Sequence, residues 1–420
     1  MIKDRKFHVI TFALVTSLFF LWGLANNMTD TLLAAFKRIM SMTDFQTSWI
    51  QIAFYGSYFC LALPAAILIK KYSYKTGILT GLGMYFIGGI LFYPASKTMD
   101  YSHFLIALFI LAGGLSVLET TANPYIIAIG PEETGTRRLN FAQSFNPIGS
   151  ITGVVLSKLF ILSNLEMVSA EQRAAMSDEQ LSLLQSRELN AVMGPYVGVA
   201  IVLLILWMVI GFRKMPEASE GDSKIKLFPT IKRLVSNQKY IWGVVAQFFY
   251  VGAQLCAWSF TIRYVMSELH INEEQSSNYY IASLVFFVSM RFVNTALMRL
   301  VSPSQLLTGS SLFAILFTVM TIFGKGSIGV YSLVAISGCM SLMFPTIYGL
   351  AVRGLGEDSK IGASGMIMAI VGGAVFPAIQ GKVSDLFSSI NISFSVPLTC
   401  FIFILIYSFF AFRKKPIVDS

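Results

Sequence analysis

About twelve long apolar stretches, most of them at or above the 18 residues that let a helix cross a bilayer, leave this chain few folds to choose from. They fall roughly at 9–35, 45–69, 75–95, 101–128, 139–163, 191–212, 240–267, 275–299, 305–323, 328–351, 360–386 and 392–412. No soluble core could hide so much apolar surface: 55% of the residues are hydrophobic and 13% charged, where soluble proteins carry about 25% charged. The runs are too long for barrel strands and lack their alternation. The expected fold is an all-α membrane protein of twelve transmembrane helices.

The net charge of +9 does not point to nucleic acid, because the bases cluster in the short connections between spans. With both termini in the cytoplasm, Lys70, Lys71, Lys75, Arg137, Arg138, Arg213, Lys214 and the run from Lys224 to Lys239 all face inward, as the positive-inside rule requires. Lys37 and Arg38 run against it. A multi-pass protein of a bacterial inner membrane is expected, with the bilayer as its partner and no nucleic acid. The four cysteines (Cys60, Cys256, Cys339, Cys400) lie inside apolar runs, and the three histidines (His8, His103, His270) lie near span ends without clustering, so no metal site is expected. The basic start resembles a signal peptide. The apolar stretch after it is too long, however, and carries Asn26, Asn27 and Asp30, so it reads as an uncleaved first span.

Residues 213–239, rich in Lys and Arg, divide the chain near its middle. The expected organisation is a six-helix bundle over 1–212, a cytoplasmic linker over 213–239 and a second six-helix bundle over 240–420. The halves echo each other. Asn123-Pro124 leads through Gly130-Pro-Glu-Glu to Asn146-Pro147, and Phe344-Pro345 leads through Gly356-Glu-Asp to Gly372-Gly373. Two six-helix repeats are the mark of the major facilitator architecture.

Two carboxylates sit where an apolar chain should avoid them: Asp30 in the first span and Glu119 in the fourth. A charged residue at the bilayer centre costs about 2.5–3.5 kcal/mol on insertion scales, and such residues mark substrate or proton paths. A buried carboxyl is readily neutral, so either could carry a proton. The structural alternative is an ion pair with Arg263, Arg291 or Lys158. Trp22, Asn26 and Asp30, at i, i+4 and i+8, stack on one helix face with Asn27 beside them. A flat aromatic plate, amides and a carboxylate are what a pyranose needs. The bland alternative for the asparagines is interhelical glue. Glu119, about 27 Å along the fourth span from Tyr101, should lie past the midplane toward the cytoplasm, and Asp30 in the outer half. Asn123 shares the Glu119 face. Gln143 and Asn146 share a side of the fifth span. Gln247, Tyr250, Gln254 and Trp258 mark a polar and aromatic face in the seventh. Arg291 is expected to anchor a partner carboxylate rather than touch substrate. No P-loop or other enzyme motif appears, so neither ATP-driven pumping nor a catalytic residue is expected.

The stretches Phe19 to Asp30, Leu118 to Pro124, Arg138 to Asn146 and Tyr250 to Trp258 resemble the fucose–galactose–proton symporter family of the major facilitator superfamily. The resemblance implies alternating-access import of a sugar, L-fucose first, with a proton as coupling ion and no other cofactor. It implies proton coupling at Asp30 and Glu119, and sugar binding by residues matching Asn27, Gln143 and Asn146. Together with the face analysis, the expected sugar-binding set is Trp22, Asn26, Asn27, Glu119, Asn123, Gln143, Asn146, Gln254 and Trp258. The chain departs from the family pattern at Phe344, where a tyrosine is expected, and at Lys158. The alternatives are a glucose/galactose or other hexose:proton symporter, a drug:proton antiporter and a membrane enzyme. A monomer is expected.

Overall fold

The computed structural model describes residues 2–39, 44–98, 100–160, 172–173, 175–215 and 227–413, and the side chains of Asn26, Asp30 and Lys158 lie outside that description. Among the described residues the regular structure is helical throughout. Among the described residues nine helical stretches are long and apolar enough to cross a membrane, and two shorter apolar stretches, Val9–Ala25 and Gly198–Phe212, belong to longer helices. The fifth expected span completes the set in two pieces.

The helices are α1 Ile2–Ile39, α2 Asp44–Lys71, α3 Tyr74–Thr98, α4 Tyr101–Ala128, α5 Gly135–Gln143, α6 Phe145–Phe160 and α7 Asp178–Phe212. The second half holds α8 Leu227–Ser236, α9 Gln238–Leu269, α10 Glu273–Leu297, α11 Pro303–Phe323, α12 Ser327–Met340, α13 Met343–Val352, α14 Ser359–Met368, α15 Gly372–Phe387, α16 Ile390–Ser393 and α17 Ser395–Arg413. Besides the span that a 3-10 turn over Ala369–Val371 divides into α14 and α15, two expected spans are each two half-helices. One breaks at Ser144, between α5 and α6, and the other at Ser341 and Leu342, between α12 and α13. In each case a proline, Pro147 or Pro345, stands in the first turn of the second piece, where its missing N–H is tolerated.

The chain forms two compact units. One comprises Met1–Ala122 with Phe145–Ser223, and the other Asn123–Ser144 with Lys224–Ser420. In the first, α1 packs along α6 and α3 packs on α7. In the second, α9 is central and touches α13, α15 and α17, while α5 lies against α13 and α10. Glu268 pins the end of α9, accepting from the Gly326 N–H at 2.6 Å and from Asn391 Nδ2 at 2.7 Å.

Candidate functional site

In the first unit the polar face of α1 is positioned by glycines. A Cβ on Gly149 would fall 1.9 Å from the Phe20 carbonyl oxygen, one on Gly23 2.0 Å from that of Asn146, and one on Gly153 2.5 Å from that of Leu24. The α1 and α6 backbones therefore touch, with Gly149 and Gly153 in the small-xxx-small spacing that permits close approach in membranes. That approach lets Asn146 Nδ2 reach the Phe19 carbonyl and Ser150 Oγ the Gly23 carbonyl, both at 3.3 Å. Trp22 is buried and stacks on Phe19 with centroids 5.5 Å apart. Asn27 is half-buried next to Gly153. Asn26 and Asp30 lie on the same helix, with side chains outside the described set.

Glu119, also in the first unit, is only 5% exposed. Its Oε1 accepts a hydrogen bond from the Tyr58 hydroxyl at 3.0 Å. Ser116 Oγ bonds the Tyr58 carbonyl at 3.0 Å and Ser57 Oγ the Phe109 carbonyl at 2.6 Å, so α2 and α4 are clamped around the carboxyl. Among the described residues the hydrogen-bond partner of Glu119 is a phenol; Lys158, one of the cations named for an ion pair, has its side chain outside them. Nothing in the sequence singled out Tyr58, one aromatic among several in an apolar run.

In the second unit, Gln143 Nε2 donates to Asn123 Oδ1 at 2.8 Å, and both side chains are buried. Among the described residues Asn123 Nδ2 has no hydrogen-bond partner. Asn123 lies one helical turn beyond Glu119 on α4. Arg291 is 4% exposed; its Nη1 donates to the Gln143 carbonyl at 2.9 Å and its Nε to the Ser341 carbonyl. The guanidinium lies over the Phe287 ring, 4.7 Å from its centroid. The expected carboxylate anchor is thus corrected: Arg291 holds backbone carbonyls. Asn294 Nδ2 donates to Ser341 Oγ at 3.0 Å. Arg263 is exposed and stacks over Phe260 at 4.3 Å.

The face expected on α9 divides. Gln247 and Tyr250 are fully buried, and Tyr250 donates its hydroxyl proton to the Met340 carbonyl at 3.1 Å. Gln254 and Trp258 are half-buried, with Trp258 Nε1 on Ser337 Oγ at 3.2 Å. The turn joining α4 to α5 is organised by Arg138, which donates to the carbonyls of Ile126, Ile127 and Pro131 and so caps the end of α4. Asn140 Nδ2 bonds Thr346 Oγ1 at 3.2 Å, and Glu132 Oε1 accepts from the Gly354 N–H at 2.8 Å. Among the described residues no group of His, Cys, Asp and Glu could hold a metal ion.

Paired half-helices and a buried intramembrane carboxyl are features of a transporter fold, and the Major Facilitator Superfamily model matches residues 14–377. The chain belongs to the major facilitator superfamily. Among superfamily members it is 41% identical to the L-fucose-proton symporter of Haemophilus influenzae, covering 98% of both chains. It is 32% identical to the glucose/galactose transporter of Brucella abortus, covering 96% of this chain and 95% of that one. The crystal structure of the Escherichia coli fucose:proton symporter superimposes with a TM-score of 0.92 at 38% identity, over 97% of this chain and all of that one. The expected twelve-helix major facilitator fold is thereby borne out, and the chain is a multi-pass membrane transporter.

Proposed function

We propose that this superfamily member imports L-fucose, a 6-deoxyhexose, together with a proton by alternating access. The observation that carries the reading is Glu119: a buried carboxyl in an apolar span, held by one phenol and followed a turn later by the Asn123–Gln143 amide pair. Acids retained inside a membrane mark proton and substrate paths. Amides and an acid supply the donors and acceptors that sugar hydroxyls require. The higher identity to a fucose symporter than to a glucose/galactose transporter supports the 6-deoxyhexose over other hexoses. The chain acts as a transporter and not as an enzyme.

Asp30 is the proton carrier in this reading, and Glu119 is a sugar ligand whose charge is coupled to it. Trp22, Asn26, Asn27, Asn123, Gln143, Asn146, Gln254 and Trp258 bind sugar. The protein works as a monomer in a bacterial inner membrane with both termini in the cytoplasm, and the proton is its coupling ion. Uptake of labelled L-fucose, galactose and glucose into proteoliposomes, with and without an inward proton gradient, tests it. L-fucose should accumulate only with the gradient, and sugar added to weakly buffered cells should make the medium alkaline. Acidification would establish an antiporter, and preferential accumulation of galactose or glucose would replace the substrate.

A further inference from the structure

Proline at position i has no N–H for the carbonyl of residue i−4, and its ring crowds that oxygen. Pro147 therefore leaves the Gln143 carbonyl without its helical donor, and Pro345 does the same to Ser341. These are the two oxygens that Arg291 takes: Nη1 on Gln143 and Nε on Ser341. One buried guanidinium from α10 thus joins the broken end of α5 to the broken end of α12. The charges balance as well. A helix C-terminus carries roughly half a negative charge, so two of them offset one cation without a carboxylate. Tyr250 on the Met340 carbonyl and Asn294 on Ser341 Oγ complete the satisfaction of the α12 end.

The bridge reaches the polar site through Gln143. With its carbonyl held by Arg291, Gln143 directs Nε2 to Asn123 Oδ1, which turns Asn123 and leaves Nδ2, fully buried, as a donor without a partner among the described residues. We propose that Arg291 is a positioning residue of the sugar site: by bridging the carbonyls orphaned by Pro147 and Pro345 it aims the Gln143–Asn123 amide pair at a sugar hydroxyl, without touching the sugar. The proposal rests on the sugar-binding reading of that pair.

A double-mutant cycle tests it. Pro147→Ala with Pro345→Ala restores an N–H to each orphaned carbonyl, so the bridge becomes dispensable. Arg291→Gln should weaken L-fucose binding by about tenfold or more in the native background, and by less than about threefold in the double-alanine background. Arg291→Lys keeps the charge but not the fork, should fall between the two, and carries the cycle if Arg291→Gln does not fold. An equal loss in both backgrounds, or none in either, overturns the proposal, since a residue acting by charge or by direct contact gains nothing from the alanines. If the native protein binds no L-fucose, the sugar reading fails on its own. The cycle read in melting temperature then still decides whether the prolines and Arg291 are coupled.

Discussion

Gly149→Ala is a single methyl placed where two backbones meet. The new Cβ would lie 1.9 Å from the Phe20 carbonyl oxygen, and restoring the 3.0 Å that real Cβ atoms keep requires α1 and α6 to part by about 1.1 Å. The atom in the way is backbone and cannot rotate aside. The cost should therefore fall in the upper part of the usual overpacking range, about 2–3 kcal/mol. Alanine's better helix propensity returns at most about 1 kcal/mol. The net loss is about 1–2 kcal/mol, which for a unit of this size lowers the melting temperature by about 2–8 °C. The same displacement breaks the Asn146–Phe19 and Ser150–Gly23 hydrogen bonds, already 3.3 Å long. L-fucose counterflow should then fall about tenfold, since misplacements near 1 Å are costly to positioned groups. Gly89→Ala is the matched control, because nothing lies within 4 Å of its would-be Cβ. Melting and counterflow for Gly149→Ala that match those of Gly89→Ala would refute the argument that backbone contact at Gly149 sets the register of the polar face.

Other predictions concern single groups. Asp30→Asn should abolish proton-driven accumulation while leaving sugar counterflow; accumulation against a gradient by this variant removes Asp30 from coupling. Tyr58→Phe deletes the hydrogen bond to Glu119, worth about 0.5–1.5 kcal/mol. It should raise the L-fucose dissociation constant up to about tenfold by tryptophan quenching, and an unchanged constant counts against Glu119 as a ligand. Glu188→Gln strands Arg173, its partner at 2.6 Å, with side chains only 3% and 1% exposed. Breaking one side of a buried pair costs about 3–5 kcal/mol. A Met pair replacing both residues should melt closer to the native protein than Glu188→Gln does, and the reverse order would place the pair in water.

Apolar length made the spans legible in the sequence, and two intramembrane acids made the chemistry legible, because both signals are local. Asn123 and Gln143 were found for the same reason: amides are rare in such runs. Tyr58 was not, since an aromatic in an apolar span reads as packing until the fold brings it to Glu119. Gln247 and Tyr250 share a face with Gln254 and Trp258 by spacing, yet the packing of α9 takes the first two into the interior of the second unit. Arg291 carried a readable clue that periodicity does not use. The oxygens it binds belong to the residues four before Pro147 and Pro345, a relation of backbone chemistry rather than of side-chain pattern. Gly149 and Gly153 were not singled out, because which helix such a pair admits is decided by tertiary structure.

The segment Asn123–Ser144 packs with a unit whose remaining residues begin at Lys224. The order of synthesis gives that arrangement a cost in time. Asn140 is made 206 residues before Thr346, and Glu132 is made 222 residues before Gly354. At 5–20 residues per second, such intervals last about 10–45 s. Throughout that wait Asn140 lacks the Thr346 hydroxyl and Glu132 lacks the Gly354 N–H. A nascent chain arrested near the linker should therefore expose residues 123–144 to protease or to chaperone crosslinking, and a chain released past Gly354 should not.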